Sequence, residues 1–522
     1  MEQERETPVS RDRLPFFRAV LVGVLAVLAA LTIGHLIAGL LNPNASPFYA
    51  VGNTAIDLTP APLKDFAVRN FGTNDKLVLL GGMAVALLLF AAVAGLSSRR
   101  SPWPGAVLAT VLGVLGIVAV LTRPDTAVVD VLAPVASLVA GVGVFLWLHN
   151  LASRGLASRN TTVEAPATGT SRRRFMYTSA GVAVGVGVAG TGGQLLADSV
   201  DVESSRTAVG SLVPATLAPP IPSGVDFAEL GTPRFITANR DFYRIDTLLN
   251  VPRLRAEDYV LRIHGAVDKE LTLRFEDIRR MRLVERTITM TCVSNEVGGP
   301  YVSTSNFIGV PLGEVLAEAG VKPGAEQLFS TSVDGWTCGT PVADVLDRGL
   351  LAIGMNGEPL PAEHGFPVRM VVPGLYGFVS ATKWVVDMEF NQFADKQSYW
   401  LKRNWGQKAP IKTESRIDVP AGFATVGPGR ITVAGVSWAQ PRGIAKVEVR
   451  ADNGEWVAAR LATEVNPSTW RMWRVELDLA PGLHTVECRA TDKTGYVQTD
   501  QRVAPIPDGA TGWHSTTFTV QP

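Results

Sequence analysis

The chain has 522 residues with 47% hydrophobic and only 18% charged side chains, against roughly 25% charged in soluble domains. Forty-eight Lys and Arg balance 48 Asp and Glu, so no bulk charge calls for a nucleic acid partner. Three cysteines, Cys292, Cys338 and Cys488, are too few and too widely spaced for a disulfide framework or a four-ligand zinc site.

Five apolar runs in the first two fifths are each about as long as the roughly 20 helical residues that cross a bilayer. They lie near Phe16 to Leu41, Leu77 to Leu96, Gly105 to Leu121, Ala127 to Leu148 and Phe175 to Leu196. The third is the shortest, and glycines make the fifth the least hydrophobic. The N-terminal tail, the loop at Arg99 and Arg100, and the segment before the fifth span carry eleven Lys and Arg, against four (Lys64, Arg69, Lys76, Arg123) in the intervening loops. Positive charge is retained on the cytoplasmic side. The expected arrangement is therefore a multi-pass protein of the inner or plasma membrane, its N-terminus cytoplasmic and everything after Leu196 outside.

Ser171-Arg172-Arg173-Arg174-Phe175-Met176 resembles a twin-arginine export signal, and reads equally well as a positive-inside anchor. Gly185 to Gly190 matches GxGxxG but lies inside an apolar span with no preceding strand, so helix packing through small residues such as Gly181 and Gly185 is expected instead of dinucleotide binding.

The expected organisation is a transmembrane region over 1–198 with the arginine segment at 171–176, a Ser/Pro/Ala-rich linker over 199–226, an α+β region over 227–412, and an all-β region over 413–522. The last shows period-two runs at Arg430 to Trp438, Ala445 to Arg450, Trp473 to Leu479 and His484 to Ala490, separated by turn residues, a pattern expected of an immunoglobulin-like sandwich. Cys488 alternates inward there as a small core residue.

The α+β region contains no HExxH, CxxC, P-loop or GxSxG motif. It holds a lone Cys292 where an apolar strand ends in a glycine-containing loop, a place suited to a nucleophile or soft metal ligand, although on this fact alone an inert buried thiol is the commoner reading. Downstream, Asn356-Gly357 signals a hairpin, and His364, Arg369 and Lys383 bring three potential cations to a Gly- and Pro-rich stretch, an expected anion cradle. Cys338, beside Trp336-Thr337, fits a core role or a pocket wall.

Phe235 to Tyr243, Thr291-Cys292-Val-Ser-Asn295, Ser332 to Thr337, Asn356 to Tyr376 and Lys383-Trp384, in this order, resemble the sulfite oxidase family of molybdopterin oxidoreductases. Gly435 to Trp438, Arg489 to Asp492 and Asp508 to Trp513 resemble its C-terminal dimerisation domain. The resemblance implies a molybdenum-molybdopterin cofactor with Cys292 as the protein ligand of the metal. Asn239, Arg240, Tyr243, Ser332, His364, Arg369 and Lys383 match positions that hold the pterin and its phosphate. It further implies a small-molecule substrate, a separate electron-transfer partner and a homodimer, while the spans imply a lipid partner. No haem is expected in this chain, because His35 and His149 are placed near opposite faces of the membrane.

Sulfite-oxidising members carry arginines where this chain has Ala238 and Glu296, and Arg442 replaces at most one of them. The expected reaction is two-electron oxygen-atom transfer on a small neutral sulfoxide or N-oxide. The alternatives are sulfite oxidation, a non-catalytic membrane scaffold or sensor, and a transporter, the last disfavoured by spans almost free of charge.

Overall fold

The computed structural model describes residues 13–60, 63, 66, 70–71, 75–123, 126–157, 170–197 and 201–522. Arg5, Arg11, Lys64, Arg69 and Arg159, used above for charge counting, lie outside them. The chain forms two compact units, 1–200 with 247–250, and 201–246 with 251–522.

The first unit is helical: α1 (Phe16–Leu41), α2 (Pro47–Leu58), α3 (Asp75–Ser97), α4 (Trp103–Leu121), α5 (Leu132–Ala157) and α6 (Thr170–Ala197). Among the described residues, five helical stretches are long and apolar enough to cross a membrane: Phe16–Leu41, Lys76–Ser97, Trp103–Leu121, Val128–Ser153 and Arg173–Leu196. Their leucines and valines point outward in quantity, with Leu89, Val139 and Val188 all exposed, the reverse of a water-soluble surface. Helix α2 was not foreseen; Pro47 opens it at a position where the missing N–H costs nothing.

Small residues set the close approaches. A methyl on Gly23 of α1 would lie 2.0 Å from Ala91 O of α3, so only glycine permits this backbone contact. On α6 the tight residue is Gly193, where an added methyl would meet the Leu36 backbone of α1 at 3.0 Å. Gly181 and Gly185, expected to pack, have open space around them, so that expectation is corrected by about two to three helical turns.

The second unit opens with α7 (Val202–Val209). Residues 201–226, expected as a linker, instead pack along this unit. Arg206 donates to Leu360 O and Pro359 O, and Thr216 forms a parallel bridge with Val284. The Pro-rich composition signalled the lack of a regular element after α7, but it carried no signal of that helix or of these long-range hydrogen bonds.

Ten strands and three helices follow: β1 (Val260–Gly265), β2 (Leu271–Arg274), α8 (Phe275–Arg280), β3 (Val284–Thr291), β4 (Val302–Pro311), α9 (Leu312–Ala319), β5 (Gln327–Ser332), β6 (Thr337–Pro341), α10 (Val342–Arg348), β7 (Leu350–Met355), β8 (Glu358–Pro359), β9 (Arg369–Val371) and β10 (Val385–Asn391). They build two sheets, β2-β1-β10-β5-β6 and β3-β4-β7-β8 with β9 on β7, which contribute to one apolar core. Strands β4 and β7 are buried along almost their whole length, as expected when both faces of a sheet are covered. The predicted hairpin forms: β7 turns into β8 through Asn356 (φ 51°) and Gly357 (φ 82°), the double left-handed geometry for which Asn-Gly is suited.

The last hundred residues are β-rich, with β11 (Glu414–Val419), β12 (Thr425–Val426), β13 (Arg430–Trp438), β14 (Ile444–Ala451), β15 (Val457–Ala458), β16 (Arg460–Leu461), β17 (Arg471–Asp478), β18 (Gly482–Asp492) and β19 (His514–Val520). The sheets β11-β13-β17-β16 and β12-β19-β18-β14-β15 share a core that includes Val433, Trp473, Val486 and Cys488. Cys488 is fully buried, and so is Cys338 in β6.

Strand β3 lies at the edge of its sheet, yet its outer edge is not left bare. Near its start Glu285 N donates to Thr216 O (2.8 Å). Towards its end Thr289 N donates to Ser468 O, Trp470 N donates to Thr289 Oγ1, Asn466 Nδ2 reaches Thr287 O, and Gln440 Nε2 reaches Thr289 O. Loops of the β-rich region thus take the place of a neighbouring strand and satisfy its peptide groups.

Candidate active site

Cys292 follows β3 directly, and its N–H donates to Tyr301 O (3.0 Å) across the loop. Asn295 closes that loop: its Oδ1 accepts from Tyr301 N at 2.8 Å. The Cys292 side chain is 8% exposed, its Sγ 3.1 Å from Ser294 Oγ. Burial pushes this thiol up from its ordinary value, while Ser294 and the Lys383 charge draw it partly back. A soft metal that displaces the proton is the natural counterpart of such a thiol.

Three of the predicted residues are linked in series. His364 Nε2 lies 3.0 Å from Asn239 O, and Arg369 Nη1 donates to His364 O at 3.1 Å. Asn239 itself is held from both sides, its Oδ1 accepting from Asn356 Nδ2 (2.8 Å) and its Nδ2 donating to Glu358 Oε1 (2.5 Å). The His364 ring stands edge-on to Phe242. Desolvation, with Arg369 and Lys383 nearby, lowers its pKa to about 3. His364 is therefore a neutral donor, and the expected trio of cations is a pair.

Arg369 is buried, its guanidinium 5.6 Å over the Phe307 ring and its Nη2 3.6 Å from Met290 Sδ. Burial lowers its pKa to about 10, so it stays charged at neutral pH. Lys383 Nζ donates to Glu363 O (3.1 Å) and pairs with Asp246 Oδ2 at 3.4 Å. Desolvation brings it down to about 8, with Asp246 opposing that fall. Gly365 (φ 109°) allows the turn that joins these residues: a methyl there would meet Arg369 Cβ at 3.1 Å and Lys383 Cα at 3.2 Å.

Tyr243 stacks on Phe242. Its hydroxyl is held well above its ordinary pKa by burial and by Cys292, with Arg369 pulling the other way, which places phenol, thiol and guanidinium in one electrostatic neighbourhood. Ser332 ends β5 opposite Val385, two residues from Lys383. Arg240 is not drawn in: its side chain is 88% exposed, 3.6 Å from Asp241.

Several contributors were missed from sequence. Asp246, the counter-ion of Lys383, lies three residues beyond the recognised Phe235-to-Tyr243 block. Arg416 of β11 donates to Gly299 O (2.8 Å) and pairs with Asp418, and the His514 ring fills the space beside Gly298. These two come from the β-rich region and carried no local signal.

The arrangement has a further property. Thr291 Oγ1, Asn295 Nδ2, Ser332 Oγ and Arg369 Nε are buried without a hydrogen-bond partner. Buried polar atoms are almost always satisfied, so four of them around a thiol and two cations mark a site shaped for a polar, anionic ligand. The donor set fits a phosphorylated, sulfur-bound metal cofactor.

A buried cysteine at a strand end with a cationic cradle on an α+β scaffold suits a molybdopterin-type oxidoreductase, the class that the comparisons also give. The oxidoreductase molybdopterin binding domain family matches residues 248–400. The chain is 31% identical over 334 residues to human mitochondrial sulfite oxidase, covering 53% of this chain and 60% of that protein. It is 29% identical over 342 residues to the sulfite oxidase of Gallus gallus, with 55% and 74% covered. It is 34% identical over 146 residues to the uncharacterized oxidoreductase YuiH of Bacillus subtilis (strain 168), with 28% and 71% covered. Among solved structures, the sulfane dehydrogenase SoxCD from Paracoccus pantotrophus aligns with a TM-score of 0.48 and 26% identity over 54% of this chain and 81% of that one. The chain belongs to the sulfite oxidase family of molybdopterin-dependent oxidoreductases, whose cofactor is molybdenum-molybdopterin. It spans only 60% of the length of the human relative.

Proposed function

We propose that this protein is a membrane-anchored molybdenum oxidoreductase, its catalytic region outside the cytoplasm, that exchanges an oxygen atom with a small neutral sulfoxide or N-oxide. Cys292 Sγ would bind the metal, and Asn239, Tyr243, Ser332, His364, Arg369 and Lys383 would hold the pterin and its phosphate, with Arg240 turning in from its exposed position. The cofactor supplies the two-electron change and the exchangeable oxygen. The protein supplies a neutral His364 N–H, a buried Arg369 cation and a shielded thiol.

The observation that carries the substrate class is the charge beside Asn239 and Asn295. Ala238 and Glu296, where sulfite-oxidising relatives have arginines, are both solvent-exposed, and Glu296 adds an anion. Two arginines of the β-rich region are already neutralised: Arg442, the replacement considered from sequence, pairs with Asp492 (2.7 Å) and donates to Ile411 O, and Arg416 pairs with Asp418. A dianion would meet repulsion there, weakened by solvent. The competing reading is sulfite oxidation, the activity for which the human and chicken relatives are named.

The five apolar helices would form a transmembrane bundle, with 171–176 as a twin-arginine signal, and the two C-terminal sheets would form an immunoglobulin-like, dimerising sandwich. An electron-transfer partner would complete the cycle. Purified protein, analysed for molybdenum, should be assayed with sulfoxides plus a reduced dye and with sulfite plus an acceptor. Sulfoxide reduction with negligible sulfite turnover is expected, and Glu296→Arg should raise sulfite turnover. Efficient sulfite oxidation by the unaltered protein would overturn the substrate class.

A further inference from the structure

The first unit holds a half-open cavity of about 290 Å³ lined by α1 (Leu28, Leu31, His35), the α1–α2 junction and start of α2 (Ser46, Tyr49), α3 (Ala84, Leu88) and α6 (Gly190). Its walls are almost wholly apolar, and its polar groups gather at one place. His35 Nδ1 lies 3.4 Å from Ser46 Oγ, which is itself buried. The Tyr49 ring stands edge-on to the imidazole at 5.9 Å between centroids. On the third side an added methyl on Gly193 would strike His35 Cδ2 at 2.9 Å, so the glycine backbone of α6 presses on the ring. The imidazole is thus fixed by three neighbours with one nitrogen committed to Ser46, and Nε2 has no protein partner among the described residues.

A fixed imidazole nitrogen in an apolar cavity between helices suits a flat, apolar ring carrying a hydrogen-bonding oxygen. We propose that this cavity binds the ring of a membrane quinone or its quinol, with His35 Nε2 hydrogen-bonded to one ring oxygen. A lipid acyl chain would fill the same walls but would make no use of the imidazole. The proposal rests on the reading of the chain as a membrane-bound oxygen-atom transferase, and it assigns the electron source. A quinol plus a sulfoxide gives a quinone, a sulfide and water, so atoms and both electrons balance. In the orientation expected from charge, His35 lies towards the outer end of α1.

The test uses the full chain in nanodiscs and two probes: decylubiquinol and a menaquinol analogue. Equilibrium binding should be saturable and should fall at least tenfold in His35→Leu and in Ala84→Phe, which fills the cavity. Molybdenum content and dye-driven sulfoxide reduction should stay unchanged in both variants. Equal binding by wild type and both variants, or displacement by phosphatidylglycerol with no dependence on His35, would overturn the quinone assignment while leaving the catalytic reading intact. Loss of dye-driven activity in the wild type with His35-dependent quinone binding retained would strike the catalytic reading alone.

Discussion

His364 Nε2 donates to the main-chain oxygen of Asn239 at 3.0 Å, joining the turn after β8 to the turn that carries two of the expected cofactor contacts. Because the ring is neutral down to about pH 3, it acts as a fixed N–H and not as a charge. His364→Gln, which retains an N–H, should keep most of the cofactor. His364→Leu leaves the Asn239 carbonyl without its donor, a cost of about 1–3 kcal/mol, and should lower pterin content roughly 5- to 100-fold. Pterin fluorescence after acid release measures both, and cofactor loading should show no titration between pH 5 and 8 from this residue.

Cys292→Ser exchanges a soft ligand for a hard one inside a buried site. Circular dichroism should be unchanged, with a stability loss of about 1–2 kcal/mol from the added hydroxyl, while bound molybdenum and turnover should vanish. Normal metal content in the variant would remove Cys292 from the metal.

Arg369 separates stability from function. In the chain without cofactor it is a buried cation with Nε unpartnered. Removing it relieves the desolvation of a buried charge but leaves the His364 oxygen without its donor, a cost of about 1–3 kcal/mol. With these two effects opposed, Arg369→Met should melt close to the wild-type temperature without cofactor, yet bind no pterin. A variant that melts far lower would show that the guanidinium is needed for folding itself.

Much of this site was legible in the sequence because its residues sit on short, chemically marked turns: Cys292 at a strand end, Asn356-Gly357 at a hairpin, Gly365 between two cations. What stayed hidden was long-range. Nothing around Ser468, Trp470 or Arg416 announces that they meet β3 and the cysteine loop, since hydrogen bonds between distant stretches leave no period in the sequence. The same limit explains the misread linker and the glycines of α6, where the repeat showed small residues but not which face meets a neighbour. The charge state of His364 was hidden because it depends on burial and on two cations distant in sequence.

Glu414 opens β11 opposite Trp438, is 3% exposed, and has a pKa raised to about 8 by burial, opposed only by Lys412, with Tyr376 alongside. Its folded-state pKa exceeds the unfolded value near 4.5, so the folded chain binds the extra proton. Stability from this group is full below pH 4.5 and is lost as pH rises to about 8, a loss on the order of 2 kcal/mol or more. Glu414→Gln should flatten that slope, read as melting temperature from pH 5 to 8.5, and should stabilise the protein most at the alkaline end.

Topology is testable with fusions. A reporter active only outside the cytoplasm should signal when joined after Leu196 and stay silent after Arg159. Changing Arg172, Arg173 and Arg174 to Lys should leave the catalytic region inside the cell. Unimpaired export without the twin-arginine machinery would reduce the segment to an anchor.

The edge of β3 has a consequence in time. Its last hydrogen-bonding neighbours come from residues 181 positions further along, Trp470 against Thr289. At roughly 5–20 residues per second, the ribosome finishes those partners about 10–35 s after the strand itself. During that interval the strand leading to Cys292 has an unpaired edge, open to other chains. The edge is therefore complete only once residues 466–470 have been made, and any chaperone for this protein has a defined window and a defined strand to guard.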